Sequence, residues 1–183
     1  QTTDERLNDR GVDDALRANI QYYRSETRFL RALMYYHAMD MFGNTPFITE
    51  NDPIGTYLPP QRSRAELYSF IESELLELSD DPHMTEPRQN EYGRADKAAV
   101  WMLLSRLYLN AEVYIQTPKY DECMKYARNV ISAGYDLCPN YAELFMADNG
   151  ENTDARKEMI FTINFDGRWT QSYATQFLVA GSR

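Results

Sequence analysis

An all-α fold of antiparallel helical pairs, closed by a short strand-and-loop region at its C-terminal end, is what this chain predicts. Three observations carry that expectation. Residues 92–114, YGRADKAAVWMLLSRLYLNAEVY, are apolar on nearly every side from Ala98 onward, and a helix apolar almost all round must be enclosed by other helices. PKYDECMKYARNVISAGY follows at once and reads as a second, amphipathic helix ended by glycine. Strict period-two alternation, the mark of a strand, occurs only at residues 159–165.

The elements follow in order. Leu16, Ile20, Tyr23, Thr27, Leu30, Met34, His37 and Met41 form one stripe at helical spacing, and Gly43 stops it. FGNTPFITENDPIGTYLPPQ is then a long irregular connection with prolines at 46, 53, 59 and 60. Ser63 and Glu66 make a capping box, after which Leu67, Tyr68, Ile71, Leu75 and Leu78 supply one apolar face. In the next helix Val100, Leu103, Leu104, Leu107, Tyr108, Ala111 and Tyr114 form the main face, with Trp101, Met102 and Leu109 opposite. We expect Trp101, Leu104 and Leu107 to be buried. The following helix shows Tyr120, Cys123, Met124, Ala127, Val130 and Ile131, with Thr117 and Pro118 suited to N-cap and N1 and Gly134 to C′. YAELFMA is a short helix, DNGENTDARKE a polar loop, and MIFTINFDG a strand with Met159, Phe161, Ile163 and Phe165 on one side. The expected organisation is a helical scaffold over 1–150 and the start of an irregular region over 151–183.

Composition narrows the function. The chain has 183 residues, 43% of them hydrophobic, enough for one well-buried core. A formal charge of −9 argues against nucleic acid and anionic membrane surfaces, which select basic patches. Cys123 and Cys138 form neither CxxC nor a zinc pattern, and read as unpaired buried thiols rather than a disulfide. His37 and His83 lack carboxylates at metal spacing, so no metal and no cofactor are expected. The acidic pairs Glu72/Glu74 and Glu74/Glu77 sit on the solvated side of one amphipathic helix, not across a cleft as a glycosidase dyad requires. No G-x-S-x-G, P-loop or GxGxxG occurs. Catalysis is not expected.

Binding has one candidate segment. Asp166, Arg168, Trp169, Gln171, Tyr173 and Gln176 mix aromatic rings with amide, carboxylate and guanidinium groups. Rings suit the apolar faces of sugars, and the polar groups suit their hydroxyls. Trp169, Tyr173 and Phe177 would equally serve as packing against the scaffold, and both uses stand open. A different class of function is a peptide-binding groove, for which Arg106 and Asn110, four apart on one helix, could clamp backbone or carboxylate. The acidic stretch 148–154 lacks EF-hand spacing and reads as a solvated turn.

The helical pairs resemble tetratricopeptide repeats, with Tyr36 and Tyr108 at equivalent points, but their long connections depart from the 34-residue period. Four segments together resemble the SusD/RagB family: ETRFLRALMYYHAMDMFGNTPFITENDP, PPQRSRAELYSFIESEL, YGRADKAAVWMLLSRLYLNAEVY, and KEMIFTINFDG with TQSYATQFL. The resemblance implies a TPR-like scaffold without catalysis, belonging to an outer-membrane, cell-surface lipoprotein of Bacteroidetes that binds glycans. It implies a SusC-like TonB-dependent porin as partner, and a membrane link only through a lipid anchor not contained in this chain. It also implies that the chain is a fragment of a longer polypeptide. Asp166 stands where some relatives hold calcium, and Ala174 and Thr175 replace the family's frequent Gly-Gly.

Overall fold

The computed structural model describes residues 4–53, 55, 57–165, 167, 168 and 170. They divide into two compact units, one within residues 4–90 and 95–134, the other within residues 91–94 and 135–170. The first unit holds α1 (Asp4–Asp9), α2 (Asp14–Phe42), α3 (Arg64–Asp80), α4 (Lys97–Leu109), α5 (Ala111–Ile115) and α6 (Tyr120–Ser132). Helix α2 packs on α3, α3 on α4, and α4 on α6. The second unit holds a 3-10 turn, Tyr141–Phe145, and α7 (Thr153–Glu158).

Helix α2 starts where Asp13 Oδ1 accepts from Leu16 N (2.7 Å). It ends at Gly43, whose φ of 74° lets its N–H reach Met39 O. Its buried face is not the expected stripe. Ser25, Phe29, Ala32, Tyr36 and Met39 are buried, whereas Leu16, Tyr23, Leu30, Met34 and Met41 are 42–66% exposed. Both faces carry apolar residues at helical spacing, so periodicity alone leaves the rotation of the helix undecided. Polar anchors decide it. Arg28 donates to Glu74 through Nε and Nη2 (3.1 and 2.9 Å), Arg31 Nη2 donates to Glu74 (2.8 Å), and Ser25 Oγ donates to Asp81 Oδ2 (2.6 Å). Those bonds turn the small residues Ser25 and Ala32 toward α3.

The Glu74 cluster sets a pH dependence. Burial alone would raise the Glu74 carboxyl, but the bonds and charges of Arg28 and Arg31 outweigh it and hold the group below its ordinary 4.5. A depressed carboxyl contributes stability that is complete above its unfolded pKa and fades as the pH falls through the folded one. We therefore expect wild type to lose more stability than Glu74→Gln between neutral pH and about pH 3. Urea titrations showing equal losses for the two would refute this.

Helix α3 matches expectation throughout. Ser63 Oγ accepts from Glu66 N (3.3 Å) while Glu66 Oε2 accepts from Ser63 N (2.8 Å). That backbone bond, with the Ser63 hydroxyl and Arg62, pulls the Glu66 carboxyl down to about 2. Leu67, Tyr68, Ile71, Leu75 and Leu78 are all buried.

The connection after α2 is more ordered than its prolines suggest. β1 (Thr45–Pro46) pairs antiparallel with β2 (Gln61–Arg62), Thr45 opposite Arg62. Tyr35 Oη accepts from Ile48 N and donates to Ile48 O (2.9 and 2.8 Å), pinning the loop to α2. Phe47 packs tilted against Tyr35 and edge-to-face with Phe70, with centroids 4.9 and 4.8 Å apart.

The α4 face is as expected: Val100, Leu103, Leu104, Leu107 and Tyr108 are buried, and the run breaks at Asn110 before α5 buries Ala111 and Tyr114. Trp101 is only half-buried and donates Nε1–H to Ser79 Oγ (2.9 Å). Helix α6 begins two residues later than its sequence suggests, with Lys119 as N-cap, and buries Tyr126 and Val130. Tyr120, Met124 and Ile131, expected inside, are exposed. Gly134, at φ 81°, takes the expected position just beyond the helix.

Two expectations for the chain end are corrected. DNGENTDARKE contains α7 rather than loop alone, because Asn152 Oδ1 accepts from Asp154 N and Ala155 N (2.9 and 3.1 Å). Among the described residues, 159–165 form no strand and bend at Ile160 and Phe161, while the two short strands lie before Glu158, contrary to expectation. Alternation states which side chains share a face; a strand also needs a backbone partner. Among the described residues none forms a ladder with 159–165, and Ile163 and Phe165 are 65% and 59% exposed.

Candidate functional site

The second unit is built around residues from the Y-G-R-A motif. Tyr92 Oη donates to Met159 Sδ (3.3 Å), and the Arg156 guanidinium lies over its ring at 4.6 Å. Gly93 has φ 85°, and a Cβ there would meet Asn164 Nδ2 at 2.3 Å. Only glycine allows both that backbone conformation and that approach. Asn164 Oδ1 accepts from Thr162 Oγ1 (2.8 Å), and its backbone O accepts from Thr170 Oγ1 (3.1 Å). Gly167 N donates to Thr170 O (3.0 Å) across a turn with φ 74°. The motif thus holds the stretch that leads into the candidate segment.

Of the six candidate residues, Arg168 is described, and it is exposed. Asp166, Trp169, Gln171, Tyr173 and Gln176 lie outside the described residues. The structure therefore places the approach to the segment, and it does not place the six side chains together.

The acidic stretch 148–154 is occupied by structural bonds. Asn149 Nδ2 donates to Leu144 O (2.8 Å), Asn152 Nδ2 to Glu143 Oε2 (2.9 Å), and Lys157 pairs with Asp154 (2.7 Å). Among the described residues no group of three or more His, Cys, Asp or Glu side chains is placed to hold a metal ion. Cys123 and Cys138 are both free thiols, the first half-buried beside Ser105 and the second buried.

The peptide-clamp pair is also committed elsewhere. Asn110 Nδ2 donates to Arg106 O (3.1 Å), closing the end of α4 on itself, and the Arg106 guanidinium lies 5.5 Å from the Tyr36 ring centroid.

A polar cluster that sequence reading missed lies among α3, α4 and α6. Lys119 Nζ sits 5.7 and 5.4 Å from the Tyr68 and Tyr108 centroids and pairs with Glu72 at 2.7 Å. Tyr108 and Tyr126 stack at 5.8 Å. Burial, reinforced by Glu72, pushes the Tyr68 and Tyr108 phenols well up, so both stay neutral. Tyr68 Oη is buried and finds no hydrogen-bond partner. Neutral phenols around a paired ammonium offer neither nucleophile nor base, and the cluster reads as an internal brace.

Paired helices stacked side by side, one of them nearly all apolar, define a TPR-like scaffold. No protein-family model matches the chain. A search of curated proteins finds the starch-binding protein SusD of Bacteroides thetaiotaomicron, 48% identical over 161 residues, 87% of this chain and 28% of that protein. The surface glycan-binding protein A of the same species, solved with laminarihexaose, is 28% identical with a TM-score of 0.63 over 81% of this chain and 29% of that one. A SusD superfamily protein from Parabacteroides distasonis shares the fold at a TM-score of 0.73 and 23% identity, covering 91% of this chain and 34% of its own. The chain belongs to the SusD family. It spans about a quarter of the length of the curated relatives it matches, between 24% and 28%.

Proposed function

We propose that this chain is part of a non-catalytic glycan-binding protein that works at the outer-membrane surface in a TonB-dependent uptake system, seated on a SusC-like porin. One observation carries the reading: the 48% identity to a starch-binding protein across nearly the whole chain. Support for glycan capture also comes from relatives solved with laminarihexaose and with a xylogluco-oligosaccharide. The segment of Asp166, Arg168, Trp169, Gln171, Tyr173 and Gln176 is the proposed contact, with Trp169 and Tyr173 as stacking surfaces. Few polar contacts in an open site leave little surplus after the costs of ordering, so each site is weak. Capture then depends on many sites along one polymer and across one cell.

The test is Trp169→Ala with Tyr173→Ala in a family-length polypeptide, read by affinity electrophoresis against maltoheptaose, laminarihexaose and xyloglucan oligosaccharide. We expect binding of at least one glycan by wild type and its loss in the variant, with melting unchanged. Binding that survives while melting drops would make these rings scaffold. A wild type that binds no glycan would overturn the whole reading.

A further inference from the structure

Residues 159–165 belong to no helix or strand, yet side chains tie them down at both ends. At the start, Met159 Sδ accepts from Tyr92 Oη (3.3 Å). Toward the end, the Asn164 amide lies so near Gly93 that a Cβ there would stand 2.3 Å from Nδ2. Gly93 also has φ 85°, a backbone conformation that residues with a Cβ avoid. Asn164 is itself fixed twice. Thr162 Oγ1 donates to its Oδ1 (2.8 Å), and Thr170 Oγ1 donates to its backbone O (3.1 Å). Gly167 N, at φ 74°, donates to Thr170 O (3.0 Å). Asn164, Gly167 and Thr170 are thus tied together over Gly93, and exposed Arg168 lies between the last two in sequence.

We propose that Gly93, Asn164 and Thr170 are positioning residues for glycan binding. The proposal rests on the reading of the Asp166 to Gln176 segment as the sugar contact. None of the three has to touch the ligand. Gly93 leaves the room in which Asn164 lies against the backbone, and Asn164 and Thr170 fix how the chain enters the contact segment. A segment that is ordered only when a ligand arrives loses freedom at that moment, and the loss is subtracted from affinity. Ties made beforehand remove part of that cost, which matters most where each site is weak.

The test uses the family-length polypeptide, with maltoheptaose, laminarihexaose and xyloglucan oligosaccharide as probes. Thr170→Val keeps the shape and removes the hydroxyl, so it should weaken binding roughly three- to tenfold with melting unchanged. Thr170→Ser restores the hydroxyl and should restore the affinity. Gly93→Ala should weaken binding by at least roughly tenfold, because the clash and the backbone strain act together. Gly11→Ala is its control: Gly11 has φ 63°, but a Cβ there would meet nothing within 4 Å. It carries the same kind of strain without the close approach, and should leave affinity unchanged. If wild type binds and Thr170→Val binds equally well, the positioning role is overturned and the glycan reading stands. Equal weakening by Gly11→Ala and Gly93→Ala would overturn it as well, by tracing the loss to general destabilisation. A wild type that binds none of the three probes removes the glycan reading, and this inference with it.

Discussion

Leu104→Ala should destabilise the chain by about 2–5 kcal/mol, the range for removing a branched aliphatic side chain from a packed interior. Leu104 is fully buried on α4, the helix that packs against both α3 and α6. Neighbours on two sides cannot collapse into the same gap, which favours the upper part of the range. In a domain of this size that corresponds to a melting shift of roughly 4–20 °C. Chemical denaturation showing a loss below about half a kilocalorie would mean that α4 is peripheral after all.

Asp96→Ala should be nearly as damaging, for a polar reason. Asp96 is 4% exposed. Its Oδ1 accepts from Ala98 N and Ala99 N (2.9 and 3.2 Å), and its Oδ2 accepts from Arg88 N (2.8 Å). Alanine removes the cap of α4 and leaves buried N–H groups without an acceptor, together about 2–4 kcal/mol. Asp96→Asn keeps the carbonyl toward the helix but turns an N–H toward the Arg88 N–H, so it should fall between alanine and wild type. Denaturation curves in which asparagine matches wild type would show that the Arg88 bond contributes nothing.

These two residues also mark what the sequence disclosed. Leu104 was legible because it sits amid the Val100, Leu103, Leu107 and Tyr108 face, whereas the expected enclosure of α4 on all sides fails, Met102 and Leu109 being 39% and 55% exposed. Helix α3 was legible because Ser63, Glu66 and a single apolar face admit one start and one rotation. Helix α2 was not, because its two faces compete and the choice rests on Arg28 and Arg31 meeting Glu74, 46 and 43 residues away. The start of α6 shifted for a similar reason: Lys119 is drawn to Glu72 and two tyrosine rings, partners no local pattern names. Period two at 159–165 predicted a strand, and the stretch instead bends at Ile160 and Phe161, because alternation cannot supply a neighbouring strand. Asp96 was overlooked although its signal was present, an acidic residue directly before a Lys-Ala-Ala helix start. For the candidate segment, composition suggested a sugar-binding chemistry, and only Arg168 of its six residues is described.

The placing of Tyr92 and Gly93 bears on the order in which the chain can mature as it is made. These residues precede α4 in sequence, yet their partners Gly150, Arg156, Met159 and Asn164 are all synthesised after α6. At ~5–20 residues per second, Tyr92 emerges from the ribosome several seconds before Met159 exists. During that interval the cap at Asp96 and the α3, α4 and α6 packing have everything they need, while the tyrosine ring waits in water. A nascent-chain intermediate with a finished first unit and a solvent-facing Tyr92 is therefore built into the reading order of the gene.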